Sequence, residues 1–528
     1  MRSLLCLLSL GLVLQWSPHT HADLNAKVGH ALERLGTWNM AEAREAVESV
    51  MKASPDTPVA WLVEGQMRLF EGRYSEASQL LTRAAADISG DRGLAAHLAT
   101  MARAVETTTQ GYQSQLSSGG HFMISWKPGV DEVMVPWMDM VLEASWEALT
   151  ERFGQLPETP VRVELYPSAD TLAAVTPLSE DEIRQSGTIA LCKYNRLMIT
   201  SPRDLVYGYG WADTLAHEFI HMLITQRSNN SVPIWLHEGL AKYYESVWRE
   251  DAKPSLDVAS KTLLSRALAE DSLIPFEAMS PSMAKLPSQE ATGTAFAEVH
   301  TVMAYLEERH GPELAKDLTA LMAQGKSDKE SVALLAKLPW ARFESSWKSF
   351  LKRQGYRQEP SLFDSRLLFK GHDTEADELT QLKGNKARKY VWLGDRLSLE
   401  ERPLAASKEY RKAARAVNAD VPLIQAKLGR ALLALGLIDE AVGELKKTIA
   451  LYPEYMLTRL LLGEGLKRQG KHLEAKEHLE AALLINPFDP QLHQHLRDVH
   501  LALGDEEQAT RAQKAHEKIM AHIQSATP

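Results

Sequence analysis

The sequence predicts a mainly α-helical protein, with one α+β unit in the middle and a helical-repeat array on either side. Three observations lead there. Small residues recur every 34 positions through the C-terminal third. The same period shows more faintly near the N-terminus. Between the two, short stretches alternate apolar with polar residues, which suits strands and not helices. The length of 528 residues suggests about three domains, at roughly 100–200 residues each.

The chain opens with "MRSLLCLLSLGLVLQWSPHTHADLN". Arg2 precedes an apolar run from Leu4 to Leu14, too short to span a bilayer, and Ala22 closes a small-residue cleavage pattern. Residues 1–22 therefore read as a signal peptide. No later segment holds 18 consecutive apolar residues, so no stable membrane span is expected after cleavage. Cys6 falls in this leader and leaves Cys192 without a partner, so no internal disulfide is expected. Export without disulfides fits a periplasmic or secreted protein of bacterial type.

Residues 23–112 read as the first repeat array. Ala43 and Ala77 are 34 apart, and Trp61, Gly65, Gly72, Ala77 and Ala84 hold the repeat's positions. Two repeats run to about 92, followed by a helical connector.

Residues 113–356 form the middle unit. "HFMISW" and "VRVELYP" read as strands, separated by a helix that ends near Gly154. "GTIALCKYNRLMITSPR" reads as a hairpin turning at Tyr194–Asn195, and helical patterns run from Asp213 to about Tyr356. Residues 357–384 lack a period and read as a linker.

Residues 385–528 form the second array. Gly429 and Gly463 are 34 apart, as are Gly436, Gly470 and Gly504, and likewise Ala441, Ala475 and Ala509. Pro453 and Pro487 repeat the spacing. Small residues let paired helices approach closely, and proline ends the second helix of each pair. In period and in the places of its small residues this pattern resembles the tetratricopeptide repeat family, with about four units.

The formal charge is −10 and the isoelectric point is near 6.0. Nucleic-acid binding, which needs a strongly basic face, is not expected. Clusters such as "KEYRKAAR" read as solvated helix faces.

The chemistry concentrates in "DTLAHEFIHMLITQ". His217 and His221 are four apart, which places both imidazoles on one helix face, able to grip one ion. Glu218 points about 100° around the axis, where it reaches a water held by that ion. A catalytic zinc takes three protein ligands and keeps a fourth position open. A metzincin extension would place glycine at 224 and histidine at 227; Ile224 and Arg227 exclude it. "NNSVPIWLHEGLAKYYE" offers a third ligand instead. Pro233 starts a helix, Glu238 lies about one turn past Trp235, and Gly239 and Ala241 leave room for packing against the first helix. His237 points about 100° from Glu238 and takes a flanking role.

"HEFIH" followed by "WLHEGLAKYYE" resembles the gluzincins of the peptidase MA-like clan, in the exported bacterial form fused to tetratricopeptide repeats, over roughly 120 to 350. The resemblance implies a zincin-like α+β catalytic domain flanked by two α-solenoid arrays. It implies that His217, His221 and Glu238 bind Zn2+ and that Glu218 is the general base of peptide hydrolysis. It places a peptide substrate along "TIALCKYNRLMIT", main chain to main chain. Gluzincins usually supply a tyrosine or histidine that donates to the oxyanion, and in related sequences a tyrosine often stands shortly before the "YL" of "FAEVHTVMAYL". His300 stands there in this chain, with Tyr244, Tyr243 and Tyr207 as alternatives.

Asp213 and Thr214 are read as caps of the metal helix, with a histidine-orienting role for Asp213 as the alternative. Trp211, Trp235 and Trp248 read as packing residues, and Cys192 as a small buried residue with no nucleophilic role. Two functions follow. One is an exported zinc metallopeptidase whose arrays bind protein substrates or partners. The other is a zincin-like scaffold that has lost catalysis.

Overall fold

The computed structural model describes residues 20–88, 93–250, 252–363, 367–370, 382, 385–417 and 419–526. The expected leader lies almost wholly outside them, as does most of the expected linker. No helix among the described residues is long and apolar enough to cross a membrane.

The protein is mainly helical, with one small sheet. The first helices are α1 (Thr20–Gly36), α2 (Met40–Ala53), α3 (Pro58–Phe70), α4 (Tyr74–Asp87) and α5 (Gly93–Thr109). The last eight are α16 (Asn385–Leu399), α17 (Pro403–Ala416), α18 (Pro422–Ala434), α19 (Ile438–Leu451), α20 (Met456–Arg468), α21 (His472–Leu483), α22 (Pro490–Leu503) and α23 (Glu506–Ala526). The 34-residue period has a direct physical cause. A Cβ on Gly429 would stand 2.7 Å from the Leu445 side chain, and one on Gly463 would stand 2.5 Å from Leu479. Gly65 faces Leu81, and Gly394 faces Tyr410, in the same way. Each glycine meets the residue 16 positions on, so the helices of these four pairs approach at one fixed register.

The middle unit holds β1 (Gln113–Leu116), β2 (Phe122–Trp126), α6 (Val135–Phe153), β3 (Val161–Tyr166), α7 (Ala169–Ala174), α8 (Glu180–Ser186), β4 (Ala190–Lys193) and β5 (Arg196–Thr200). The helices α9 (Trp211–Arg227), α10 (Ile234–Tyr244), α11 (Val258–Glu270), α12 (Gln289–His310), α13 (Leu314–Ala323), α14 (Asp328–Ala336) and α15 (Trp340–Arg353) complete it. The sheet order is β1-β2-β3-β5-β4, with β4 antiparallel at one edge. The hairpin turns at Tyr194 and Asn195, both at positive φ, and Gly154 caps α6 in the left-handed region. Strand β1 and the short helices α7 and α8 went unread in the sequence, because β1 is exposed throughout and the helices span only two turns or less.

Strand alternation decides what each face of the sheet touches. Val163, Leu165, Leu197 and Ile199 pack with Phe219, Ile220 and Leu223 of α9 in the central core. Tyr166, Tyr194 and Met198 pack with the N-terminal helices. The first array therefore backs the sheet. Charge crosses this second face: Arg196, fully buried, pairs with Glu164 at 3.0 Å, and Tyr74 of α4 donates its hydroxyl proton to Glu164. The Tyr74 oxygen in turn accepts from Arg162 at 3.0 Å and from Arg196 at 2.8 Å.

The described parts of the expected linker are tied down by backbone bonds. Val206 donates to Leu368, Lys370 to Asp204, and Asp420 to Ser361. Such pairings join distant segments, which is why no local period revealed them.

Candidate metal centre

Helix α9 begins at Trp211 with Gly210 as its N-cap, so Asp213 and Thr214 lie inside its first turn and do not cap it. Asp213 is not a histidine partner either. Its Oδ1 accepts from the Trp248 indole at 2.8 Å and pairs with Arg249 at 2.6 Å. The cap reading failed because an earlier residue starts the helix. The orienting reading failed because a distant arginine and indole take the carboxylate.

The four-residue spacing on α9 puts the His217 and His221 rings 4.7 Å apart, nearly perpendicular. Helix α10, with Pro233 as its N-cap, brings Glu238 against them. Glu238 Oε2 stands 3.4 Å from His217 Nε2 and 3.5 Å from His221 Nε2. An ion bound tetrahedrally at about 2.0–2.2 Å from each ligand separates those ligands by about 3.3–3.6 Å. The donor set thus fits a zinc-sized ion. One ligand atom from each of His217, Glu218 and His221 also lies within 4.8 Å of the others, so two carboxylates flank the imidazole pair. Glu238 is the better ligand, since its single oxygen makes both of the short contacts. Gly239 does not pack against α9 as the sequence reading had it. Being one residue on from Glu238, it turns toward α12, where a Cβ would meet Met303 at 3.1 Å and Val299 at 3.3 Å.

Glu218 is 6% exposed, and its Oε2 has no hydrogen-bond partner. Burial raises its pKa; the two histidines and a hydrogen bond from the Cys192 backbone act the other way. Cys192 lies on edge strand β4, and its side chain packs on the α9 side of the sheet. Burial also raises the Cys192 thiol well above its ordinary range, the state of an inert thiol.

Behind the imidazoles stand Glu245, which the sequence reading passed over, and His237, to which it gave a flanking role. His217 Nδ1 lies 3.0 Å from Glu245 Oε2, and Glu245 also pairs with Lys242. His221 Nδ1 lies 2.6 Å from His237 Nδ1. Glu245 sits seven residues past Glu238, on the same helical face, which is the one local signal that could have revealed it. Burial opposes the charged form of His217, but its bonds to Glu238 and Glu245 outweigh this and raise its pKa to about 10. Burial also opposes ionised Glu238, and the two histidines hold it well below the usual carboxylate range. Burial and the nearby His221 push His237 down to about 3.

The proposed oxyanion donors lie in different settings. The hydroxyls of Tyr243 and Tyr244 both donate to Glu307, Tyr244 at 3.2 Å. The Tyr207 ring lies 4.9 Å from that of Tyr455 of the second array, tilted at 45° to it. His300, on α12, is 5% exposed, sits edge-on to Tyr243 at 5.0 Å, and leaves Nδ1 without a partner. Burial lowers its pKa to about 4, and the charges acting on it are those of Lys242, Glu245 and Asp257.

Residues 144–353 match the family model of the Peptidase MA superfamily, so the middle of the chain is similar to that superfamily. No curated protein matches the chain. Among solved structures, the crystal structure of MamA is 20% identical over 29% of this chain and 86% of its own, at a TM-score of 0.23. YrrB, a TPR protein with an unusual peptide-binding site, is 16% identical over 40% of this chain and 98% of its own, at 0.23. The APC/C hetero-tetramer Cut9–Hcn1 is 12% identical over 95% of this chain and 81% of its own, at 0.27. The repeat architecture rests on the chain's own 34-residue helix pairs.

Proposed function

We propose that the chain is an exported, zinc-dependent metallopeptidase, with His217, His221 and Glu238 as zinc ligands and Glu218 as general base. The observation that carries this is the meeting of Glu238 Oε2 with both Nε2 atoms, beside the unpartnered Glu218 oxygen. When bound, zinc supplies Lewis acidity for water activation and carbonyl polarisation. Glu218 Oε2 takes the proton of the attacking water and passes it to the leaving amine. Its burial raises its affinity for that proton. Glu245 and His237 fix the ring orientations of His217 and His221. The outer edge of β4, last in the sheet among the described residues and beside α9, is the proposed place for an extended peptide. His300 is the first choice of oxyanion donor, since its buried Nδ1 has no partner.

The leader pattern and the lone Cys192 support a periplasmic or secreted location. The arrays are proposed to bind protein substrates or partners. A second reading, a zincin-like scaffold without catalysis, is favoured by one observation: Tyr243 and Tyr244 both spend their hydroxyls on Glu307.

The test is metal content of the purified mature protein, followed by cleavage of casein and a peptide library by wild type and Glu218→Gln. Cleavage abolished by the substitution and by a chelator supports the enzyme. One equivalent of zinc with no Glu218-dependent cleavage supports the scaffold.

A further inference from the structure

The loop entering α9 is clasped by the C-terminal repeats. The Tyr209 N–H donates to the Ile485 carbonyl at 3.1 Å, and the Trp211 indole donates to the Leu483 carbonyl at 3.1 Å. Leu483 is the last residue of α21, and Ile485 lies in the connection from it to α22. Gly208 immediately precedes these contacts at a φ of +72°, where a Cβ would stand 2.5 Å from the Ile485 oxygen and 2.7 Å from Asn486 Cβ. Gly210, the N-cap of α9, makes no side-chain hydrogen bond to the helix's first turn. The Glu454 carboxylate of the repeats stands over it instead, 3.1 Å from where a Cβ would be. A negative charge is favoured at that positive end of a helix.

We infer that the C-terminal repeats position the metal-binding helix, with Gly208 and Trp211 as the positioning residues through which they set the place of His217 and His221. This rests on the metal reading above. Helix α9 lacks a side-chain cap of its own, and its first residue is held by a carbonyl some 270 residues downstream, beside the Asp213 contacts with Trp248 and Arg249. His217 lies six residues past Trp211, about 9 Å along a stiff axis. Tilting that first turn moves both imidazoles relative to Glu238, which sits on a separate helix. The second array is then part of the metal centre as well as a surface for partners. By linkage, a ligand seated on the array and an ion in the site change each other's affinity equally.

The test uses the full chain. Trp211→Phe keeps an aromatic ring but removes the indole N–H and its hydrogen bond, Gly208→Val wedges the joint open, and Lys446→Ala breaks an exposed ion pair elsewhere in the array as a control. Hydrogen exchange of the metal-free protein is read over residues 209–222, and zinc affinity by chelator competition. The expected result for Trp211→Phe is faster exchange there and about fivefold weaker zinc binding, the worth of one hydrogen bond. Gly208→Val should lose more, and Lys446→Ala should match wild type. A folded Trp211→Phe with zinc affinity within twofold of wild type overturns the inference, whatever its exchange. A wild type that takes up no zinc overturns the metal reading and this inference with it.

Discussion

Glu245 Oε2 lies 3.0 Å from His217 Nδ1, on the side of the ring away from Glu238. The imidazole is thereby held between two carboxylates, which fixes its orientation before any ion arrives. Removing such a partner typically costs about 10–100-fold in metal affinity. Glu245→Gln should therefore weaken zinc binding by about that factor, read by chelator competition, with the helical content unchanged. Wild-type affinity in this variant would show that Glu245 serves only Lys242.

The oxyanion donor can be sorted by kinetics. Tyr243→Phe and Tyr244→Phe should leave kcat within about threefold of wild type, since both hydroxyls already serve Glu307. His300→Ala should lower kcat about a hundredfold, the scale of losing one oxyanion donor. The His300 pKa of about 4 keeps the ring neutral at pH 7, with a single N–H to offer. A larger loss in either tyrosine variant than in His300→Ala would reassign the role.

The Glu164–Arg196 pair joins β3 to β5 and is met there by the Tyr74 hydroxyl of the first array. Glu164→Gln leaves the Arg196 charge buried and uncompensated, which costs about 3–5 kcal/mol. Chemical denaturation of wild type and variant at pH 7 measures this. A difference below about 1 kcal/mol would mean that Tyr74 and the Val175 carbonyl alone satisfy the guanidinium.

Glu298, fully buried on α12, accepts the Ile274 N–H at 2.8 Å with one oxygen and has no partner for the other. Burial raises its pKa to about 8. The folded state therefore holds a proton that the unfolded chain releases near its ordinary value of about 4.3. The stability from this proton is complete below that value and is lost as pH rises through about 8. Glu298→Gln cannot ionise, so its stability should fall less than that of wild type between pH 5 and pH 8. Parallel stability curves would refute the assignment.

Local geometry made much of this protein legible. A helix turns 100° per residue, so His217 and His221 had to share a face and Glu218 had to leave it. The glycine period had to mark close helix pairs, and Tyr194–Asn195 had to turn a hairpin. Those features depend on residues a few positions apart, or on one motif repeated. What lies against each face was decided elsewhere. Gly239 turned out to meet Val299 and Met303, Asp213 to meet Arg249, and Trp211 to meet a carbonyl at Leu483. Packing sets these partners, because burying every apolar face at once selects one arrangement of helices that no single segment encodes.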